Sequence, residues 1–290
     1  MIITDLWKTK KTPGVAFEFF PAKTPKSQEN LRRTIDRLAE LAPDFVTVTF
    51  GAGGSTREGS RQLAEYLKRD KCLEVVAYFA GYGLGRREID DVLEGYRQAG
   101  VENVLVVRGD PPKDPGFRPQ PDSLTYASEL LEYIRPKHSF CLGAAGYPEG
   151  HVRAESPERD ADFLKRKVDA GARYIITNYF YDNRYFFEYM ERCRVRGVNV
   201  PILPGVMPIF SFKLAETLAR TCGATIPEDI RRALADIPDE KEQARYGVDL
   251  ALRQCRGLLG AGVPGILFYT MDRWESVAEI VRRLRAESLL

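Results

Sequence analysis

Histidine is nearly missing from this 290-residue chain. Only His138 and His151 occur, so a histidine-rich metal centre has no ligands to draw on. The five cysteines (Cys72, Cys141, Cys193, Cys222 and Cys255) are scattered, and no C-x-x-C pair exists to suggest a zinc ribbon or a redox dithiol. An excess of one charge is also absent: 43 Lys and Arg against 41 Asp and Glu leave +2. That balance gives no reason to expect nucleic acid or an anionic membrane as partner, and any phosphate binding must be local. No apolar run is long enough to span a bilayer, and the opening MIITDLWKTKK lacks the apolar stretch of a signal peptide. The expectation is a cytoplasmic protein with reduced thiols. With no Pro/Ser-rich linker or compositional break, residues 1–290 read as one domain.

What the chain does have is alternation. Short apolar, β-branched runs recur at Val15 to Phe20, Phe45 to Phe50, Leu73 to Phe79 and Val104 to Val107, and again at Phe140 to Ala145, Tyr174 to Tyr181, Ile202 to Val206 and Ile266 to Tyr269. Charged segments of helical period lie between them, such as Ser27 to Leu41, Thr56 to Arg69, Arg86 to Ala99 and Pro157 to Ala170. The repeat of about 35 residues suits one βα unit. Ser211 to Gly262 is too long for one helix and is divided by Pro227 and Pro238, so two or three helices are expected between strands seven and eight. Eight strands, apolar on both faces, predict an α/β (β/α)8 TIM barrel. A doubly wound sheet is the runner-up, but its G-x-G-x-x-G fingerprint is missing from the first unit, where F-E-F-F-P stands.

Barrel active sites gather at the C-terminal ends of the strands, and unusual polar residues collect there in this sequence. Glu18 is a carboxylate inside an apolar run. Buried, it must be paired or kept protonated by a raised pKa, which makes it either a structural group, in a salt bridge or a strand-end hydrogen bond, or a general acid. Thr49-Phe50-Gly51-Ala52-Gly53-Gly54-Ser55-Thr56 reads as a flexible loop with a helix cap, or as backbone lying close to a planar or phosphorylated ligand. Arg108-Gly109-Asp110-Pro111-Pro112 makes a rigid, ligand-facing turn. Tyr147 and His151 follow strand five, where they can stack on or bond a cofactor. Asn178 is a polar group among strand-six aromatics. Arg273 follows strand eight, where it either pairs at a helix start or meets an acidic substrate tail.

Together these segments resemble the methylenetetrahydrofolate reductase family, in particular its short bacterial type without a regulatory domain. The resemblance rests on F-E-F-F-P at Phe17 to Pro21, V-T-F-G-A at Val48 to Ala52, R-G-D-P-P at Arg108 to Pro112 and Y-P-E-G-H at Tyr147 to His151. It continues with L-K-R-K-V-D-A-G at Leu164 to Gly171, P-G-V-M-P at Pro204 to Pro208 and F-Y-T at Phe268 to Thr270, in family order over nearly the whole chain. It implies a non-covalent FAD that takes hydride from NAD(P)H and passes it to 5,10-methylenetetrahydrofolate, giving 5-methyltetrahydrofolate. Glu18 matches the family's general acid. Asp110 matches the residue beside flavin and pterin, where its charge supports a cationic folate iminium. The FAD pattern carries onto Thr49, Phe50, Ala52, Tyr78, Arg108, Gly109, Asp110, Tyr126, Ala127, Tyr147, His151, Ala154, Asp160, Arg166 and Lys167. Folate contacts carry onto Glu18, Asp110, Asn178 and Arg273. A homo-oligomer is implied by family habit.

Departures from that pattern fall at four places, one of them a run of three residues. Tyr78-Phe79-Ala80 stands where the family has histidine-leucine-threonine, and Phe50 where a tyrosine is common. Asn178 and Leu214 replace two glutamines on the face where folate and nicotinamide alternate. The departures imply altered use of the electron donor. The enzyme would then oxidise 5-methyltetrahydrofolate with another acceptor or depend on a protein redox partner. A flavin-free folate-binding methyltransferase barrel is a further alternative.

Overall fold

The computed structural model describes residues 1–50, 57–112 and 114–290. Its centre is a closed barrel of eight parallel strands in sequential order: β1 (Gly14–Phe19), β2 (Phe45–Val48), β3 (Val75–Ala80), β4 (Asn103–Val107), β5 (Cys141–Gly146), β6 (Tyr174–Tyr179), β7 (Ile202–Val206) and β8 (Gly265–Tyr269). Pairing of β1 with β8 closes the ring. The expected (β/α)8 architecture is present, and each strand coincides with its apolar run to within two residues at either end.

A helix precedes the first strand, α1 (Ile3–Thr9), and helices follow every strand. These are α2 (Pro25–Ala39), α3 (Arg57–Arg69), α4 (Arg86–Gln98), α5 (Ala127–Ile134), α6 (Pro157–Asp169) and α7 (Asn183–Val195). Between β7 and β8 stand three helices: α8 (Phe212–Cys222), α9 (Glu228–Ala235) and α10 (Glu240–Gly260); α11 (Glu275–Ala286) closes the chain. Helix starts follow local chemistry. Thr24, Ser156, Ser211 and Asp239 each accept a backbone N–H of the first turn, and Pro227 and Pro238 fall in the breaks on either side of α9. At the other end, Gly100 follows α4 with φ +79°, a conformation that glycine adopts without a Cβ penalty.

Two cores result. The outer one lies between strands and helices. The inner one fills the barrel with Ala16, Phe45, Val76, Leu105, Cys141, Tyr174, Ile176, Leu203 and Leu267. α1 seals its lower end. Ile3 N donates to Asn103 Oδ1 at 3.0 Å, Asn103 Nδ2 donates to Met1 O at 2.9 Å, and the Trp7 ring sits edge-on to Phe45 and Tyr174. The upper end is different: the inward positions there carry polar groups. Among the described residues, no helix is long and apolar enough to cross a membrane.

Candidate active site

Strand parity decides which side chains enter the barrel. Ala16 packs in the interior, so Glu18, two residues on, points inward one layer higher. Register places it between Thr47 of β2 and Tyr269 of β8. Tyr78 of β3 stands above the inward Val76 in the same upper layer. Glu18 is 3% exposed. Burial raises its pKa from 4.5 to about 8, against the opposing pull of the Tyr78 and Thr47 hydroxyls and helped by the carboxyl of Asp272. The Tyr78 and Thr47 hydroxyls lie at the carboxyl, yet Glu18 Oε2, Thr47 Oγ1 and Tyr78 Oη each lack a hydrogen bond of normal geometry. A carboxyl in this setting is a neutral acid at pH 7, with a proton to give. Among the described residues no cation pairs with Glu18, so the salt-bridge alternative finds no partner there.

The turn after β8 reinforces that setting. Met271 and Asp272 both take left-handed backbone angles, φ +49° and +53°. Asn30 Nδ2 and Thr34 Oγ1 hold the turn by donating to Asp272 O at 3.0 and 3.1 Å. Thr270 Oγ1 donates to Glu18 O at 2.7 Å, locking the two strand ends together. Asp272 itself is raised to about 6 by burial, opposed by the Phe20 backbone.

Above this layer opens a cavity of about 540 Å3. Leu105, Val107 and Ile176 give it an apolar floor, and Tyr78, Tyr147, Tyr269 and Asn178 give it walls. His151, Asp110 and Arg153 stand at its edge, and Val152, Thr221 and Cys222 close the far side. Two distant loops are tied together there. Thr225 N donates to both carboxylate oxygens of Glu149, at 3.1 and 3.0 Å, and a Cβ on Gly223 would meet Val152 at 2.4 Å.

The expected site residues divide into three groups. Tyr78, Asp110, Tyr147, His151 and Asn178 line the cavity, and Glu18 lies beneath it. Asp110 is 83% exposed and pairs with Arg153 at 3.1 Å, while the His151 ring meets Tyr147 edge-on at 4.7 Å. His151 has its pKa lowered by burial and by the Lys167 and Arg153 cations, which favours the neutral imidazole. A second group flanks the cavity. Arg108 donates to Thr125 O at 3.1 Å and lies over the Tyr82 ring, next to exposed Tyr126 and Ala127 at the start of α5. Gly109 takes φ +83°, and a Cβ there would press on Ala80 at 3.0 Å, so the β4 turn lies against the β3 end only as glycine. Thr49 and Phe50 follow β2, with Phe50 edge-on to Phe79; Ala154 N donates to His151 O at 2.8 Å.

The third group is turned elsewhere. Lys167 Nζ donates to Ala145 O at 2.5 Å beneath the Tyr147 ring, and burial lowers its pKa, opposed by nearby Asp160, itself 7% exposed. Arg166 lies over Phe163 on the outer face of α6. Arg273 lies over the Phe210 ring, 5.5 Å from its centroid, beyond β8. Ala52 lies outside the described residues. Leu214 packs into the apolar cluster of α8, β6 and the loop after β7. Sequence reading missed Tyr269, Cys222 and Arg153. Tyr269 sits in the F-Y-T motif, but a strand aromatic reads as core, and nothing local announces the other two.

Comparison with known proteins gives these features a context. A family model described as methylenetetrahydrofolate reductase matches residues 3–285. Methylenetetrahydrofolate reductase 1 of Schizosaccharomyces pombe is 36% identical over 96% of this chain and 46% of its own length. Methylenetetrahydrofolate reductase (NADH) 1 of Arabidopsis thaliana is 36% identical over 93% of this chain and 48% of its own. The chain thus spans about half the length of these curated relatives. The 5,10-methylenetetrahydrofolate reductase of Pectobacterium carotovorum is 31% identical, with 90% of this chain and 87% of that protein covered. Among solved structures, an uncharacterized protein from Clostridium thermocellum that binds two copies of 5-methyl-5,6,7,8-tetrahydrofolic acid shares the fold. Its TM-score is 0.70 at 16% identity, covering 99% of this chain and 100% of that one.

Proposed function

The chain belongs to the methylenetetrahydrofolate reductase family, and from that premise we propose that it interconverts 5,10-methylenetetrahydrofolate and 5-methyltetrahydrofolate, with FAD as the hydride carrier and NAD(P)H as the donor. The observation that carries the reading is Glu18: a carboxyl 3% exposed beneath a cavity of about 540 Å3, where burial raises its pKa to about 8. Folate reduction needs a proton on a bridging amine before the ring opens to an iminium, and a carboxyl with a pKa near 8 holds that proton at neutral pH.

The residues present fit a flavin. The floor is apolar, Tyr147 and His151 offer an aromatic edge, and the Gly109 turn leaves backbone rather than side chain at the β4 end. Arg108, beside exposed Tyr126, offers a cation to the anionic part of FAD. When bound, FAD supplies the two-electron hydride chemistry. Asp110, exposed at the edge, would place a negative charge beside the cationic folate, and Arg153 holds that carboxylate meanwhile.

One observation favours a second reading, in which another electron acceptor replaces the nicotinamide. The Asn178 amide donates to Cys222 O at 3.5 Å, so the strand-six amide on the substrate face is engaged within the protein. The names of the Arabidopsis and maize relatives specify NADH, which supports the first reading.

The Glu18→Gln variant tests the proposal. It should stay yellow with bound flavin and accept electrons into it, while folate turnover falls by at least a hundredfold, in line with ~10²–10⁴ for a lost general acid. Folate turnover at the wild-type rate would refute the role of Glu18. A wild-type protein that purifies colourless and takes up no FAD would favour the flavin-free methyltransferase alternative.

A further inference from the structure

Glu18 is the acid of the proposed reaction, but it does not face the cavity. Its side chain is 3% exposed, and the cavity wall above it is made by other residues. A proton held on Glu18 therefore needs a carrier. Such a carrier must line the cavity, touch the carboxyl and have a hydroxyl not committed elsewhere.

The neighbours of Glu18 can be tested one by one. Thr47 lies directly across from it in register, but Thr47 is 0% exposed and does not line the cavity. Tyr269 pairs with it in register on the other side and does line the cavity. Its hydroxyl, however, donates to Thr177 O at 2.8 Å and is spent there. Asp272 faces the carboxyl from the β8 turn without reaching the cavity, and the Cys222 thiol acts on it only from a distance. Tyr78 remains. It lines the cavity, its hydroxyl lies at the Glu18 carboxyl and beside the Thr47 hydroxyl, and Tyr78 Oη and Glu18 Oε2 are both buried with no hydrogen bond of normal geometry to spend them. Its backbone is fixed as well, because Tyr96 Oη donates to Tyr78 O at 2.9 Å.

We propose that Tyr78 Oη is the positioned hydroxyl through which the Glu18 proton reaches the substrate amine. In the step, the Tyr78 O–H bond breaks toward the nitrogen while the Glu18 O–H bond breaks toward Tyr78 Oη. The nitrogen gains one proton, Glu18 becomes a carboxylate, Tyr78 ends as it began, and no electrons change hands. Tyr78 does not act as an acid in its own right. Burial and the neighbouring Glu18 hold its pKa well above the ordinary phenol value, so a lone tyrosinate is never a stable product.

The inference rests on the reading of Glu18 as the acid, and the experiment separates the two. Tyr78→Phe keeps the ring and removes only the hydroxyl. Protein loaded with FAD and reduced with dithionite is mixed with methylenetetrahydrofolate in water, heavy water and mixtures of them, for wild type, Tyr78→Phe and Glu18→Gln. The carboxylic-acid C=O band of Glu18, identified by its loss in Glu18→Gln, is read by infrared difference spectroscopy without folate. Tyr78→Phe should retain flavin, slow single-turnover folate reduction at least tenfold, shift the Glu18 band, and turn a curved dependence on deuterium fraction (two protons in flight) into a linear one. Wild-type rate and curvature in Tyr78→Phe, with Glu18→Gln inactive, would overturn the relay and leave Glu18 as a direct donor. Wild-type rate in Glu18→Gln as well would overturn the acid assignment itself.

Discussion

At the scale of the residue, the site is governed by what burial does to one carboxyl. Glu18 is held neutral to about pH 8, whereas in the unfolded chain it ionises near its ordinary value of 4.5. Between those values the folded state binds a proton that the unfolded state has released, so stability is fullest below the lower value and falls as pH rises through the upper one. Each pH unit across that window costs about 1.4 kcal/mol from this group. Asp272, raised to about 6, adds a slope at the lower part of the window. Glu18→Gln should therefore lose most of the decline in urea-unfolding free energy that wild type shows between pH 5 and pH 8. Parallel curves for the two proteins would mean that Glu18 is ionised in the fold. Glu18 was legible in the sequence because a carboxylate in F-E-F-F-P conflicts with its strand. Tyr269 was not, because a tyrosine there satisfies the strand pattern, and only the register with Glu18 reveals what it borders.

At the scale of the element, packing decides where propensity misleads. The strands were readable from their apolar runs, and the breaks at Pro227 and Pro238 led to an expectation of two or three helices where α8, α9 and α10 stand. α1 was not readable. It has seven residues and no side-chain cap, and it is held by Asn103, Cys141 and the aromatic contacts of Trp7. Helices this short are made by tertiary contact. α10 illustrates the same competition. Gly247 lies inside it, where alanine is ordinarily better by about 0.8–1 kcal/mol. A Cβ at that position would meet the Ile209 carbonyl oxygen at 2.0 Å, and backbone cannot move aside cheaply. Gly247→Ala should thus destabilise by ~1–3 kcal/mol through overpacking, read as a lower urea midpoint at unchanged slope. A raised midpoint would show that α10 does not seat on the loop after β7.

At the scale of the whole molecule, closure of the barrel turns scattered residues into one site. Glu149 and Thr225 are 76 positions apart, yet their contact joins the loop after β5 to the end of α8 across the cavity. That contact follows from the circular order of strands and from no local signal, which is why Cys222 and Arg153 went unread. The same closure gives the cavity a neutral acid below, an aromatic and apolar interior, and opposed charges at the edge. Such a site fits the proposed folate reaction, with an acid held beneath the cavity.

The most direct measurement is anaerobic stopped-flow of the FAD-loaded protein, following flavin absorbance after mixing with 5-methyltetrahydrofolate and, separately, with NADH. Bleaching by 5-methyltetrahydrofolate is the expected result, and bleaching by NADH as well would establish the nicotinamide as donor. A flavin that stays oxidised with saturating 5-methyltetrahydrofolate would contradict hydride exchange between folate and flavin in this barrel.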